Sequence, residues 1–207
     1  MAEIRVKSTG TIKLFENDNT SSVTIASPAS LSSNRTVTLP DGDVTLVAGT
    51  MLTSGGKIGQ VLQATKTDTT STTSTSFVDV TGMTIDITPA ATASKILVLV
   101  NANMCGSAAD WFGHMKLVRD STDLFIGDAA SNRQRDSALW RSKTEQNLRN
   151  LTPMYLDSPS STSATTYKLQ WAVESGMTFY LNRTGADSDT TAYGRTASSI
   201  TVMEVLA

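Results

Sequence analysis

Apolar and polar residues alternate along most of this chain with a period of two. In the first fifty residues the pattern appears at 11–15 (TIKLF), 22–26 (SVTIA), 36–40 (TVTLP) and 43–47 (DVTLV). Each stretch sets two apolar residues on one face: Ile12 with Leu14, Val23 with Ile25, Val37 with Leu39, and Val44 with Leu46. Alternation of this kind predicts half-buried strands. Turn-forming clusters separate them: ENDNTS, SPASLSSN and PDGD. At the last turn, a two-residue Asp-Gly loop pairs Leu39 with Val44 and Val37 with Leu46, which keeps one apolar face. A three-residue Pro-Asp-Gly loop instead sets Leu39 against Asp43. The register favours the Asp-Gly loop.

The apolar content of these strands is small, and Phe15 is the only aromatic residue before Phe77. A segment of about 50 residues rarely buries enough surface to fold alone without a staple. Neither a disulfide nor a metal-ligand cluster is available here. Partner chains can supply the missing core and cover the strand edges. Residues 1–49 are therefore expected to be a short intertwined β segment for attachment and oligomerisation. Its shared core would be Ile12, Leu14, Val23, Ile25, Val37, Leu39, Val44 and Leu46, with three-fold symmetry the expected arrangement.

Residues 50–59 (TMLTSGGKIG) break the pattern and read as a linker. Beyond it the strands lengthen. The pattern predicts strands near 60–66, 76–80, 83–88, 95–103, 112–119, 123–126, 151–156, 165–174, 177–182 and 199–206. Large apolar residues gather in this part, among them Trp111, Phe125, Trp140, Tyr167, Trp171 and Phe179. Their spacing predicts an all-β, jelly-roll-like β-sandwich head over 60–207. Tyr167, Leu169 and Trp171 share one face. The last strand carries Ile200, Val202 and Glu204 on one side and Thr201, Met203 and Val205 on the other. Both faces are largely apolar, so this strand is expected to be central or covered at an interface. One charged excursion, 128–150, interrupts the strands, and SALWRSKTEQNLR within it reads as a short helix.

Composition agrees with an all-β chain. Ser and Thr make up more than a quarter of the 207 residues, while charged residues are 17% and the net charge is −2. There is no basic field for nucleic acid and no polybasic face for lipid. The apolar run KILVLV is far shorter than the roughly 20 residues that span a bilayer. The N-terminus shows no apolar stretch of a secretion signal. A single cysteine, Cys105, allows no intrachain disulfide and suits manufacture in a reducing cytoplasm.

The N-terminal series from TIKLF through SPASL and LPDGD into SGGKIGQVLQ resembles segments of tail-fibre-like proteins of marine and cyanobacterial bacteriophages. In order, KLVRDSTDLFIGDAA, YLDSP, TTYKLQWAV, FYLNR and SSITVMEV are similar to terminal domains of phage virion proteins. The resemblance implies a non-enzymatic, homotrimeric virion protein, made in the bacterial host cytoplasm and located in the virion. A short tail fibre or knob used in host attachment fits this length. A capsid decoration or cement protein on the outer shell is the alternative, and a glycan-degrading spike a more distant one. The implied partners are other copies of the chain, other virion proteins through the N-terminal segment, and host surface glycan.

Candidate chemistry is sparse, and no cofactor, metal or catalytic residue is expected. SGGKIGQ lacks the phosphate-loop spacing. The only histidine, His114, alternates onto a face with Phe112 and Lys116 and reads as a surface or interface residue. The glutamates are few, and DGD (41–43) and DSD (187–189) read as turns. Two loops are candidate binding surfaces. One carries Arg183, Asp187, Asp189, Tyr193 and Arg195, an aromatic and polar mixture suited to sugar or a partner. The other, the charged excursion, carries Arg133, Arg135, Arg141, Lys143 and Arg149, suited to an acidic partner. Cys105 reads as a small core residue or buried thiol.

Overall fold

The computed structural model describes residues 11–15, 22–26 and 57–206, and the chain divides into two compact units, Met1–Thr50 and Met51–Ala207. In the first unit, β1 (Thr11–Phe15) and β2 (Ser22–Ala26) pair antiparallel. Ile12 lies opposite Ile25 and Leu14 opposite Val23. Val37, Leu39, Val44, Leu46 and the turn between them lie outside the described residues.

The second unit is built of strands and turns, with no helix among the described residues. Its strands begin with β3 (Lys57–Lys66), which starts inside the stretch read as linker, then β4 (Thr70–Thr72) and β5 (Val78–Ile87). They continue through β6 (Lys95–Gly106), β7 (Phe112–Arg119), β8 (Thr122–Leu124) and β9 (Ala138–Arg141). The last five are β10 (Arg149–Leu151), β11 (Met154–Asp157), β12 (Thr165–Val173), β13 (Phe179–Leu181) and β14 (Ser198–Leu206).

The strands form two antiparallel sheets. The first runs β3-β14-β6, with β11 on the far side of β6 and β10, β13 and β4 extending it. The second runs β5-β12-β7, with β8 and β9 sharing the position beyond β7. The main strands thus alternate between sheets, and the first and last, β3 and β14, are neighbours. This is the jelly-roll order of a β-sandwich.

The core lies between the sheets, where one side chain in two along each strand points inward. Ile96, Val98, Val100, Ile200 and Val202 of the first sheet meet Met115, Leu117, Tyr167, Leu169 and Trp171 of the second. Tyr167, Leu169 and Trp171 share the buried face, as expected. At one end Trp140 packs on Phe179, with ring centroids 5.2 Å apart. Gly113 is buried in β7 beneath Phe179, because a Cβ there would stand 2.1 Å from the ring.

Four expectations are corrected. The helix read within 128–150 is absent. Pairing of β9 with β7 sends Trp140 inward, and turns from Ser142 to Leu148 lead into β10. Tertiary pairing has overridden a helix-compatible local pattern. The strands at 76–80 and 83–88 are one strand, β5, whose inward phase slips between Val80 and Met83. Gly82, with φ of 81°, sits at the slip, and the pairing register with β12 shifts nearby. The strand at 151–156 is two, β10 and β11, divided around Pro153. Trp111 and Phe125 are 40% and 49% exposed and stand outside the core.

Candidate functional site

Two surface features of the head stand out. The first is the outer face of the β3-β14-β6-β11 sheet. Val61, Met203, Leu97 and Leu156 form a row across four strands, each opposite the next. The adjacent row is Gln63, Thr201, Leu99 and Met154, in which Gln63 donates to the Thr201 hydroxyl at 2.7 Å. Ile58 and Val205 continue the face toward one end. Ile58, Val61, Met154 and Leu156 are 54, 53, 60 and 46% exposed. The open apolar area is on the order of 500 Å², at the upper end for a patch on an isolated chain.

The outer face of the opposite sheet has a different character. Lys168 and Gln170 both reach Asp79, Thr166 reaches Asp86, and Lys116 pairs with Asp123. Cross-strand pairs of this kind suit a sheet face in contact with water. One outer face is thus furnished for solvent, and the other is aliphatic with its polar groups paired inside the row.

The second feature is a cleft of about 290 Å³ lined by Phe112, His114, Arg133, Gln134, Asp136, Leu139 and Glu174. The period of β7 places Phe112 and His114 on its outer side. Leu139 of β9 lies opposite His114. Ser137 anchors the preceding turn: its N–H donates to Met115, and its hydroxyl accepts from Leu117 N–H and donates to Leu124. That anchoring brings the Asp136 carboxylate 2.9 Å from His114 Nδ1. A carboxylate acceptor there places an imidazole proton on Nδ1. Glu174, just past β12, accepts the Phe112 N–H at 2.8 Å. The Asp136 side chain is 8% exposed, and its Oδ1 is buried without a partner.

The sequence-derived loops are distributed differently from their order along the chain. In the 183–197 loop the structure brings Arg183, Asp187 and Arg195 together. Asp187 takes Arg183 on one oxygen and Arg195 on the other at 2.7 Å, and the Arg183 guanidinium lies 3.9 Å from the centre of the Tyr180 ring. Desolvation works to raise the Asp187 pKa, and the two guanidiniums more than offset it, so its carboxyl stays below the ordinary range. Tyr193 accepts from Gln146, and Asp189 is exposed at the loop tip. The loop's strong charges are largely spent on one another.

The basic excursion is divided between the sheets. Arg133 reaches the cleft, Arg135 donates to the Gly127 carbonyl, and Arg141 on β9 pairs with Asp110 while covering Phe112. Lys143 stands exposed in the following turn, and Arg149 opens β10 in the other sheet. Asp136 and Glu174 were absent from both candidate sets. Only the fold marks them, setting Asp136 against His114 and Glu174 against the Phe112 N–H in the lining of one cleft.

Cys105 is fully buried, its thiol 3.2 Å from the Glu145 carbonyl, and burial pushes its pKa up. No group of metal-ligating side chains converges among the described residues. No helix there is long and apolar enough to cross a membrane.

No family model and no curated protein matches this chain. Among solved structures it is similar to the infectious bursal disease virus Gx strain at 14% identity, covering 89% of this chain and 52% of that one, with a TM-score of 0.37. It is also similar to infectious bursal virus-derived T=1 particles at 13% identity, covering 89% and 49%, with a TM-score of 0.38. The chain spans about half the length of those two viral chains. A third similarity is to the tripod from the baseplate of bacteriophage Tuc2009 at 13% identity, covering 98% of this chain and 100% of that one, with a TM-score of 0.22.

Proposed function

We propose that this protein is a non-enzymatic structural component of a bacteriophage particle, a homotrimeric short tail fibre or knob used in host attachment. The observation that carries the reading is the aliphatic outer face of the β3-β14-β6-β11 sheet. An apolar area on the order of 500 Å² is a suitable centre for an interface that buries about 800 Å² per partner. An exposed aliphatic face of this kind is a suitable surface for association with further copies of the chain. The phage resemblance of the sequence supplies the three-fold order, and the alternating strands of residues 1–49 add a second place where chains can meet.

Light scattering on the purified full chain tests the assembly. The expected mass is three times the 22.0 kDa chain. The double variant Val61→Lys, Leu156→Lys should lower that mass while keeping the β-sheet circular dichroism. A monomeric mass for the unaltered protein overturns the reading. A trimer indifferent to both substitutions moves the contact to residues 1–49. Blocking of phage adsorption by the purified protein tests the attachment role, and its absence removes that role. Copy number per particle separates a tail position from capsid decoration: hundreds of copies belong to a shell, a few to a few dozen to a tail.

A further inference from the structure

Edge strands are normally guarded against further pairing by charge, proline, a bulge or shortness. β5, at the edge of the sheet furnished for solvent, follows this rule: it carries Asp79 and Asp86 and the slip at Gly82. β3, at the edge of the aliphatic sheet, does not. Its ten residues hold no proline and no acid, lysine stands only at its two ends, and Ile58, Val61 and Leu62 are exposed. The opposite edge, β11, exposes Met154 and Leu156. The most open apolar residues of this face thus lie on its two edge strands, while Leu97, Leu99 and Met203 between them are half-buried.

The backbone of both edges is in matching phase. Val100 N–H donates to the Pro153 carbonyl at 3.1 Å. The bonding side alternates from residue to residue along an antiparallel strand. Ile96 and Val98 therefore also bond toward β11, and Leu97 and Leu99 toward β14. At the other end of β6, Asn182 N–H donates to the Asn103 carbonyl at 2.9 Å, in the same phase. On β11, Met154 and Leu156 then turn their N–H and C=O groups away from β6. Carried through β14, the phase binds Leu62 and Ala64 inward and turns the backbone groups of Val61 and Gln63 to the free edge. Among the described residues neither edge has a second neighbouring strand.

These two edges fit each other. β3, β14, β6 and β11 run antiparallel in turn, so β11 points opposite to β3. Rotation about an axis along the strands keeps every strand direction. A second copy related in this way offers its β3 antiparallel to β11. Val61 and Leu156 share one row, and Gln63 and Met154 share the next. Each of these four residues has its backbone groups facing outward from the sheet edge. Val61 set beside Leu156, and Gln63 beside Met154, form hydrogen-bonded pairs that exchange two bonds each. The same step covers the exposed side chains of both edges.

We propose that β3 of one copy pairs with β11 of the next, so that the aliphatic sheets of the copies close into one ring with Val61, Leu97, Leu156 and Met203 inside. The contact is heterologous, and such contacts close into rings when the rotation allows. The count of three rests on the trimer proposed above. Three copies of a sheet four strands wide give a wall of about twelve strands, between the eight that side chains fill and the sixteen or more that enclose water. Met and Leu side chains suit an interior of that width. Closure also removes both open edges, as in a barrel.

Disulfide trapping tests the pairing. Within one copy β3 and β11 are three strand spacings apart, roughly 14 Å, beyond the reach of a disulfide. Across a hydrogen-bonded pair the Cα atoms stand about 5.5 Å apart, within reach. Leu156→Cys is combined in the full-length chain with Ile58→Cys, Val61→Cys or Gln63→Cys, which covers a step of register to either side. Each double variant is oxidised, its remaining thiols are blocked, and it is run on a denaturing, non-reducing gel. At least one should give covalent dimers and trimers and nothing larger, and every single variant should run as one chain. A trimeric mass by light scattering with no cross-link from any pair overturns the edge pairing and leaves the trimer standing. A link formed by Val61→Cys alone sets two β3 strands together and also overturns it, as does a ladder that runs past three. A monomeric mass removes the trimer and this pairing together.

Discussion

Arg119 Nη1 lies 2.8 and 2.7 Å from the two carboxylate oxygens of Asp157, joining the end of β7 in one sheet to the end of β11 in the other. The Tyr167 hydroxyl, from β12, donates to the same carboxylate at 2.6 Å. Burial first, and then the Asp157 carboxylate, hold the Tyr167 phenol above its ordinary pKa, so it remains a donor. The Asp157 side chain is 5% exposed and that of Arg119 is 22% exposed. Asp157→Ala would strand a partly buried guanidinium and a buried phenol, at a cost of about 2–3 kcal/mol. Tyr167→Phe removes one donor and should cost about 1 kcal/mol. Urea unfolding midpoints measure both.

Gly113→Ala should destabilise the head by about 3 kcal/mol, because the added methyl collides with Phe179, itself packed on Trp140. Gly127→Ala is the control. Nothing lies within 4 Å of its Cβ position, and its effect should stay within about 0.5 kcal/mol. Thermal unfolding of the two variants gives the comparison.

Acid should weaken the fold through three carboxylates. Glu204 is buried on the inner face of β14. Burial works to raise its pKa, but hydrogen bonds from Ala90 N–H at 2.6 Å and Gln60 at 2.9 Å more than offset this. Asp79 is lowered by Gln170 and then Lys168, and Asp187 by its two arginines against desolvation. Their folded pKa values lie below the ordinary values of 4.5 for Glu and 3.8 for Asp. The unfolded chain therefore takes up protons first as pH falls. The stabilisation is whole above pH 4.5 and lost as pH drops through the folded values. Urea midpoints should be level from pH 7 to 5 and then decline. A midpoint that holds steady to pH 3 would remove these carboxylates from the stability of the fold.

Cys105 should be inert to a thiol reagent in the folded protein. Its Sγ is buried against the Glu145 carbonyl, and its raised pKa keeps it protonated. Labelling should follow the unfolding rate. Fast labelling at neutral pH would show that the 144–146 turn opens readily.

Much of the sandwich is legible in the alternation. Tyr167, Leu169 and Trp171 point inward as their spacing implies, and the two apolar faces of 199–206 mark a strand with neighbours on both sides. Local pattern fails where the phase slips, as at Gly82, or where a short strand has little pattern to show, as at Thr70–Thr72 and Ala138–Arg141. The helix expected after Ser137 fails for a related reason. Its residues satisfy a helical period locally, but β7 offers backbone partners that only the folded sheet provides.

The candidate site divides the same way. His114 could be placed on an outer face from its neighbours Phe112 and Lys116. Asp136 and Glu174 could not be joined to it, because they lie 22 and 60 residues further along the chain and come to the same cleft only through the pairing of β7 with β9 and β12.

The sequence by itself determined the strand class, the inward and outward phase of the longer strands, and the surplus of apolar residues on the outer side of β14. A side-chain period of two encodes these locally. Tertiary structure alone decided which strands are neighbours. It set Val61, Met203, Leu97 and Leu156 in one row, and it brought the Asp136 carboxylate against His114. Those relationships join residues up to 142 positions apart. No local period carries that information, because it arises only when the sheets close over a common core.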